Sequence, residues 1–165
     1  MDMLLHRRML VLVVGVALAL AVAAFGSTKA ATAAAPGPVE RTTPIVGACA
    51  FPVELEETGK EKLIDVPGED FLLIFPGLRG TFTNVEEPDN QVTLVEPGKG
   101  RVTPLENGDL FVVATGHNVL VVPGEGIFLA IGRVEFILAP PYTVGSELTI
   151  LEHQGQLIDV CALLE

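Results

Sequence analysis

Tryptophan is absent from this chain, and tyrosine occurs once, at Tyr142. Sugar sites commonly stack rings on those two side chains, so their scarcity disfavours both a glycosidase and an ordinary carbohydrate-binding module. Basic residues are also few: 10 Lys and Arg stand against 21 Asp and Glu, for a net charge of -11. A surface of that sign repels phosphate backbones and anionic head groups, which excludes nucleic acid and peripheral membrane binding as expected roles. No glycine-rich loop carries the Lys-Ser/Thr or dinucleotide spacing that cradles a phosphate, so no nucleotide cofactor is expected.

Nucleophilic chemistry lacks its parts as well. After the first 33 residues the only serine is Ser146, in Val144-Gly145-Ser146-Glu147, which is not a nucleophile elbow. Histidine is limited there to His117 and His153, both expected in solvated turns. A set of Ser146, His117 and an aspartate is too easily assembled by chance to count as a triad, so no catalytic residue is assigned.

What is present begins with an export signal. His6, Arg7 and Arg8 precede an uncharged run from Met9 to Phe25, and Ala31-Thr32-Ala33 offers an A-x-A cleavage site. The apolar run lies at the short end of the roughly 17 to 25 residues that span a bilayer, and small residues follow it, so cleavage is favoured over an anchor. Residues 1–33 are thus expected to be a signal peptide, giving a secreted protein with no membrane attachment after cleavage. Their removal takes away Arg7, Arg8, Lys29 and Asp2, leaving seven basic and twenty acidic residues. Residues 34–44, rich in Ala, Pro, Gly and Thr, are expected to form a disordered tail. The folded domain is expected to span 45–165, the size of a single unit.

Turn signals then recur about every ten residues: Pro67-Gly68, Pro76-Gly77, Glu87-Pro88-Asp89-Asn90, Pro97-Gly98, Asn107-Gly108, Pro123-Gly124 and Pro140-Pro141. Helices of ordinary length do not fit between them, whereas short strands rich in Val, Ile, Phe and Thr do. The pattern predicts an all-β, single-domain antiparallel β-sandwich or partly open β-barrel of about eight to ten short strands. In Gln91 to Glu96, Val92 and Leu94 face inward. Asn107-Gly108 predicts a type I′ hairpin turn. Pro104 limits its strand to pairing on one side. Gly132 marks a bend within the long run Gly126 to Leu138. Gln156 to Glu165 reads as a strand, with a short helix as the alternative.

The only two cysteines, Cys49 and Cys161, stand at opposite ends of this β-patterned region. Export makes oxidation the default, and no histidine lies near enough in sequence to support zinc. A disulfide closing a loop of about a hundred residues is worth roughly 4 to 5 kcal/mol in the chain-entropy model. Lipidation at Val46-Gly47-Ala48-Cys49 is disfavoured, because Lys29, Glu40, Arg41 and three prolines separate that cysteine from the apolar run.

Two chemistries remain. Glu54, Glu56, Glu86, Glu135 and Glu152 lie in or beside predicted strands and could supply paired carboxylates for a hydrolase. The acidic loops Glu86 to Asn90 and Gly68 to Asp70 offer hard oxygens for calcium but lack EF-hand or nonapeptide spacing, so no metal site is assigned.

Cys49-Ala50-Phe51-Pro52-Val53, Gly59-Lys60-Glu61-Lys62, Asn90-Gln91-Val92-Thr93-Leu94, Ala114-Thr115-Gly116, Ile131-Gly132-Arg133 and Leu157 to Leu164 resemble a group of short exported actinobacterial proteins of unknown function. That resemblance implies secretion, a single domain and the paired terminal cysteines, and no activity. The expected role is a non-catalytic extracellular binding or interaction module, monomeric by default. Its partner would be an unknown protein or cell-envelope component. A small carboxylate-dependent hydrolase and a structural envelope protein are the alternatives.

Overall fold

The computed structural model describes residues 35–66 and 70–165; the expected signal peptide lies outside them. Nine strands form: β1 (Gly37–Ile45), β2 (Val53–Asp65), β3 (Phe71–Phe75), β4 (Arg79–Asn84), β5 (Gln91–Val95), β6 (Gly98–Pro104), β7 (Leu110–Val122), β8 (Gly126–Leu138) and β9 (Leu148–Asp159). A 3-10 turn, Cys161–Leu163, follows them. The strands make one antiparallel sheet in the order β5-β4-β2-β3-β6-β7-β8-β9, with β1 on the free side of β2, and the sheet does not close into a barrel. The all-β expectation holds.

Two local expectations fail, each for a physical reason. Residues 37–45 are not a tail: they are β1, paired in register with β2 from Gly37 opposite Glu61 to Ile45 opposite Val53. Val39 and Ile45 alternate inward there, a pattern hidden by Pro38 and Pro44, which an edge strand tolerates. Nor are all the strands short, since β2, β7 and β8 each run 13 residues. Gly59 and Gly116 read as breaks in the sequence, yet inside an antiparallel ladder they bend the strand without ending its pairing.

Glycines align in one line across the sheet. Gly98 pairs with Gly116, Gly116 with Gly132, and Gly132 with Gly155, so four strands carry glycine at the same level. Gly132 has φ +123 and Gly155 has φ +121, and a Cβ on either would lie 2.2 Å from Gln154 O or 2.0 Å from Ile131 O. Only glycine allows the backbones to approach so closely in that conformation. Gly132, where the sequence predicts a bend, is thus one point on a glycine crease across the sheet, with pairing continuous through it and the register shift of β8 falling between Glu135 and Phe136.

Along the crease the sheet folds around its inward face. On β7 that face carries Leu110, Val112, Ala114, Leu120 and Val122, and on β8 it carries Ala130, Val134, Phe136 and Leu138. These residues, with Val102 and Tyr142, make the first core. Beyond the crease the opposite face of β8, through Ile127 and Leu129, packs on Ile45, Val53, Leu55 and Phe82 and makes the second core. The chain end closes this second core: Val160 and Leu164 are fully buried. Asn84 Nδ2 donates to Leu164 O at 3.2 Å, and Val160 N donates to Ile127 O at 2.8 Å. Cys49 and Cys161 are disulfide-bonded beside it, with Cα atoms 5.5 Å apart.

The remaining readings divide. Pro104 does not limit its strand to pairing on one side as expected: β6 pairs with β3 from Gly98 to Val102 and with β7 from Gly98 to Pro104, and the proline is tolerated because it lies beyond the reach of β3. Val122-Pro123-Gly124-Glu125 closes with Glu125 N donating to Val122 O, and Gly124 takes φ +77, which a type II turn requires. Asn107-Gly108 does not form the expected type I′ turn, because Gly108 alone takes positive φ. Gly108 N donates to Leu105 O and Leu105 N to Asp109 O, so the loop is one residue longer and ends in a glycine bulge. Gln156 to Glu165 is strand as far as Asp159 and then the 3-10 turn.

Candidate functional site

The inward faces of four strands are not purely apolar. Polar residues stand there in phase with hydrophobic ones: Arg41 between Val39 and Ile45 on β1, Glu57 after Val53 and Leu55 on β2, Glu96 after Val92 and Leu94 at the end of β5, and Asn118 between Ala114 and Leu120 on β7. All four line one cavity of about 120 Å³, whose remaining walls are mostly apolar side chains of the first core.

Arg41 and Glu57 are direct cross-strand partners. Arg41 Nε donates to Glu57 Oε2 at 2.8 Å and Nη2 to Oε1 at 3.1 Å, while Nη1 donates to Glu61 Oε2 at 3.1 Å. Such a planar, forked contact holds the guanidinium in one orientation. Burial pushes the Glu57 carboxyl above its ordinary value, and the hydrogen bonds and charge of Arg41 pull against that shift.

Glu96 differs, being only 5% exposed with its Oε1 lacking a hydrogen-bond partner among the described residues. Its backbone N donates to Leu78 O at 2.8 Å, which fixes the chain as it passes from β5 to β6. Gly80 leaves the space the side chain needs: a Cβ there would lie 2.3 Å from Glu96 Oε1. Desolvation, reinforced by the nearby negative charge of Glu57 and offset in part by Arg41, pushes the Glu96 carboxyl up to about 8. At neutral pH it is therefore a neutral acid, able to donate as well as accept.

Asn118 sits across the linking segment. A Cβ on Gly98 would lie 2.7 Å from His117 O and 2.8 Å from Asn118 Oδ1, so glycine there admits both the β7 main chain and this side chain. Two buried polar atoms, Glu96 Oε1 and Asn118 Nδ2, lack a hydrogen-bond partner among the described residues. Buried polar groups are nearly always paired, so two orphans in the wall of one cavity mark a place where a partner belongs.

His117 borders the same wall, in β7 and not in a turn. Its Nδ1 donates to Val95 O at 2.9 Å and its backbone N donates to Pro97 O at 3.1 Å, which tie β7 to the segment carrying Glu96. Ser146 also lines the cavity, but its Oγ accepts from Thr143 N at 2.8 Å in a local turn, and no hydrogen bond joins it to His117 among the described contacts. His153 is exposed on β9.

The carboxylates that the sequence singled out lie elsewhere. Glu54, Glu56, Glu86 and Glu152 are exposed, and Glu135 is ion-paired with Arg133. Around Glu86 the loop is bonded to itself: Asn84 Oδ1 accepts from Glu86 N at 2.9 Å and from Glu87 N at 3.3 Å. In the second acidic loop, Gly68 and Glu69 fall outside the described residues, and Asp70 is held below its ordinary value by hydrogen bonds from Arg101 and Thr103. No group of three or more metal-ligating side chains occurs among the described residues.

Among the described residues no helix is long and apolar enough to cross a membrane. No protein-family model, curated protein or solved structure matches this chain.

Proposed function

We propose that this chain is an exported, non-catalytic binding domain that takes a small, largely apolar molecule into the cavity of its first core. The observation that carries this reading is the pair of orphaned polar atoms, Glu96 Oε1 and Asn118 Nδ2, in a chamber whose walls are mostly apolar. Binding sites for small molecules commonly combine a hydrophobic lining with a few placed polar groups. A chamber of about 120 Å³ is close to the roughly 150 Å³ apolar cavity known to admit benzene. Export is supported by the N-terminal signal pattern and agrees with a protein whose only two cysteines are bonded.

The hydrolase alternative would use Glu57 and Glu96 as its carboxylates. Both oxygens of Glu57 accept from Arg41, so the ionised partner that would act as base or nucleophile is already engaged. That geometry favours binding over turnover.

The test is a toluene titration of the isotopically labelled, oxidised protein, followed by amide chemical shifts. Saturable shifts grouped at Val102, Val112, Ala114, Leu120 and Phe136 are expected. Shifts spread over the surface without saturation would sink the reading. Recovery of the chain from the culture medium, with a new N-terminus near Ala33, checks export.

A further inference from the structure

We propose that the cavity selects neutral alcohols, aliphatic or phenolic, by seating the ligand hydroxyl between Glu96 and Asn118. This assignment rests on the binding reading above and adds the chemical class of the ligand.

The argument is one of complementarity. Asn118 Nδ2 is a donor only, so the ligand must present a lone pair to it. Glu96 offers a carboxyl in which one oxygen lacks a partner, and a ligand O–H satisfies that oxygen as a donor. A hydroxyl is the smallest group that accepts from one side and donates to the other. An ether or ketone accepts from Asn118 but serves Glu96 only where the free oxygen holds the carboxyl proton, whereas a hydroxyl serves it in either case, and a hydrocarbon serves neither.

Charge narrows the class further. Glu57 and Glu61 on β2 carry negative charge toward this region, Arg41 on β1 carries positive charge, and His117 on β7 has its Nδ1 hydrogen committed to Val95 O. An anionic ligand would enter a desolvated wall beside Glu57 and Glu96. A cationic one would meet Arg41, whose forked contacts already neutralise the nearest carboxylate. A neutral molecule avoids both costs of burying an uncompensated charge. The volume, about 120 Å³, limits the ligand to roughly the size of a substituted six-membered ring.

Gly80 and Gly98 leave space beside the two polar groups, Gly98 also clearing His117 O, 2.7 Å from where its Cβ would stand. Each withholds a side chain at the position where Glu96 Oε1 or Asn118 Oδ1 lies, at 2.3 Å and 2.8 Å from where the Cβ would stand. The two polar groups are thus accommodated on the inward face by an absence on a neighbouring strand.

Four ring compounds of matched size decide the matter: benzyl alcohol, toluene, benzylamine in its cationic form, and benzoate. Each is titrated into the oxidised protein at pH 7 by calorimetry and amide shifts. Benzyl alcohol is expected to bind about tenfold or more tightly than toluene, as two added hydrogen bonds imply. Glu96→Gln, which keeps an acceptor and a donor, should retain the preference, and Asn118→Ala should reduce it to the level of toluene. If Asn118→Ala does not fold, the volume-matched Asn118→Leu carries the same expectation. Equal binding of benzyl alcohol and toluene would overturn the hydroxyl assignment while leaving the cavity as a binding site. Tightest binding of benzoate or benzylamine would overturn it as well. Failure of all four to reach the first core would remove both this assignment and the reading on which it rests.

Discussion

The two cores use the same sheet to opposite ends. The second is sealed: Phe82, Ile127, Val160 and Leu164 have no exposed surface, the chain end lies over them, and the disulfide borders them. The first is built on the inward face of the same β7 and β8, yet it retains a chamber and admits Arg41, Glu57, Glu96 and Asn118 to its wall. Native interiors pack to crystal-like density, and a buried polar group without a partner is costly. The chain relaxes both standards in one core and not in the other, and on the binding reading proposed above the sealed core fixes the fold while the first holds a site open.

The largest test of this division removes the staple. Replacing both cysteines by serine frees a loop whose ends stand 112 residues apart, and stability should fall by roughly 4 to 5 kcal/mol on the chain-entropy model. Urea unfolding followed by far-UV dichroism measures it. A loss below about 1 kcal/mol would mean that the second core does not depend on the bridge.

A smaller effect should come from protons in the first core. The ordinary value for the Glu96 carboxyl is 4.5, and the folded protein raises it to about 8. Between those values the unfolded chain has released the proton that the native state still holds. Stability from this group is therefore full below pH 4.5 and declines as pH rises toward 8, at up to roughly 1.4 kcal/mol per unit. The raised Glu57 carboxyl acts in the same direction. Urea midpoints at pH 5, 6 and 7 should fall in turn, and Glu96→Gln should flatten the slope. An unchanged slope in that variant would place the titration elsewhere.

The smallest effect compares the cores most directly. Ala114 lines the chamber, whereas Ala48 lies in the second core away from it. Ala114→Val should be neutral or stabilise by up to about 1 kcal/mol, because it fills existing space. Ala48→Val should destabilise by about 1 to 3 kcal/mol through overpacking. Thermal melts of the two variants suffice, and equal losses would show that the chamber is no roomier than the sealed core. Ala114→Val should also weaken toluene binding, which Ala48→Val should leave unchanged.

The fold was legible where chemistry is local. Pro123-Gly124 announces its turn, Val92 and Leu94 announce their face, and two lone cysteines at opposite ends of the β-patterned region announce their bond. Long-range pairing hid the rest. Nothing near residues 37–45 reveals that β2 will lie beside them, and Gly116 looks like punctuation until β8 supplies a partner glycine. The site was half visible. Glu54 and Glu56 drew notice because they share a strand face, but that face is the outward one. Glu57 continues the phase of Val53 and Leu55, and Glu96 continues that of Val92 and Leu94. A charged residue at the next inward position after two apolar ones was the available signal. Asn118 and Arg41 also lie in phase with inward apolar residues, yet their phases emerge only once β7 is seen to run through Gly116 and β1 is seen to exist.

The glycine line across β6 to β9 has a consequence for how this sequence can change. Gly155 is solvent-exposed, and by exposure alone it would be ranked among the most permissive positions in the chain. The carbonyl of Ile131, 2.0 Å from where its Cβ would stand, makes it one of the least. Constraint at that level comes from the main chain of the next strand and not from the packing of side chains. In diverging copies of this protein, the outer surface of β9 should therefore drift freely on both sides of one fixed position, leaving a conserved point that no map of hydrophobicity would reveal.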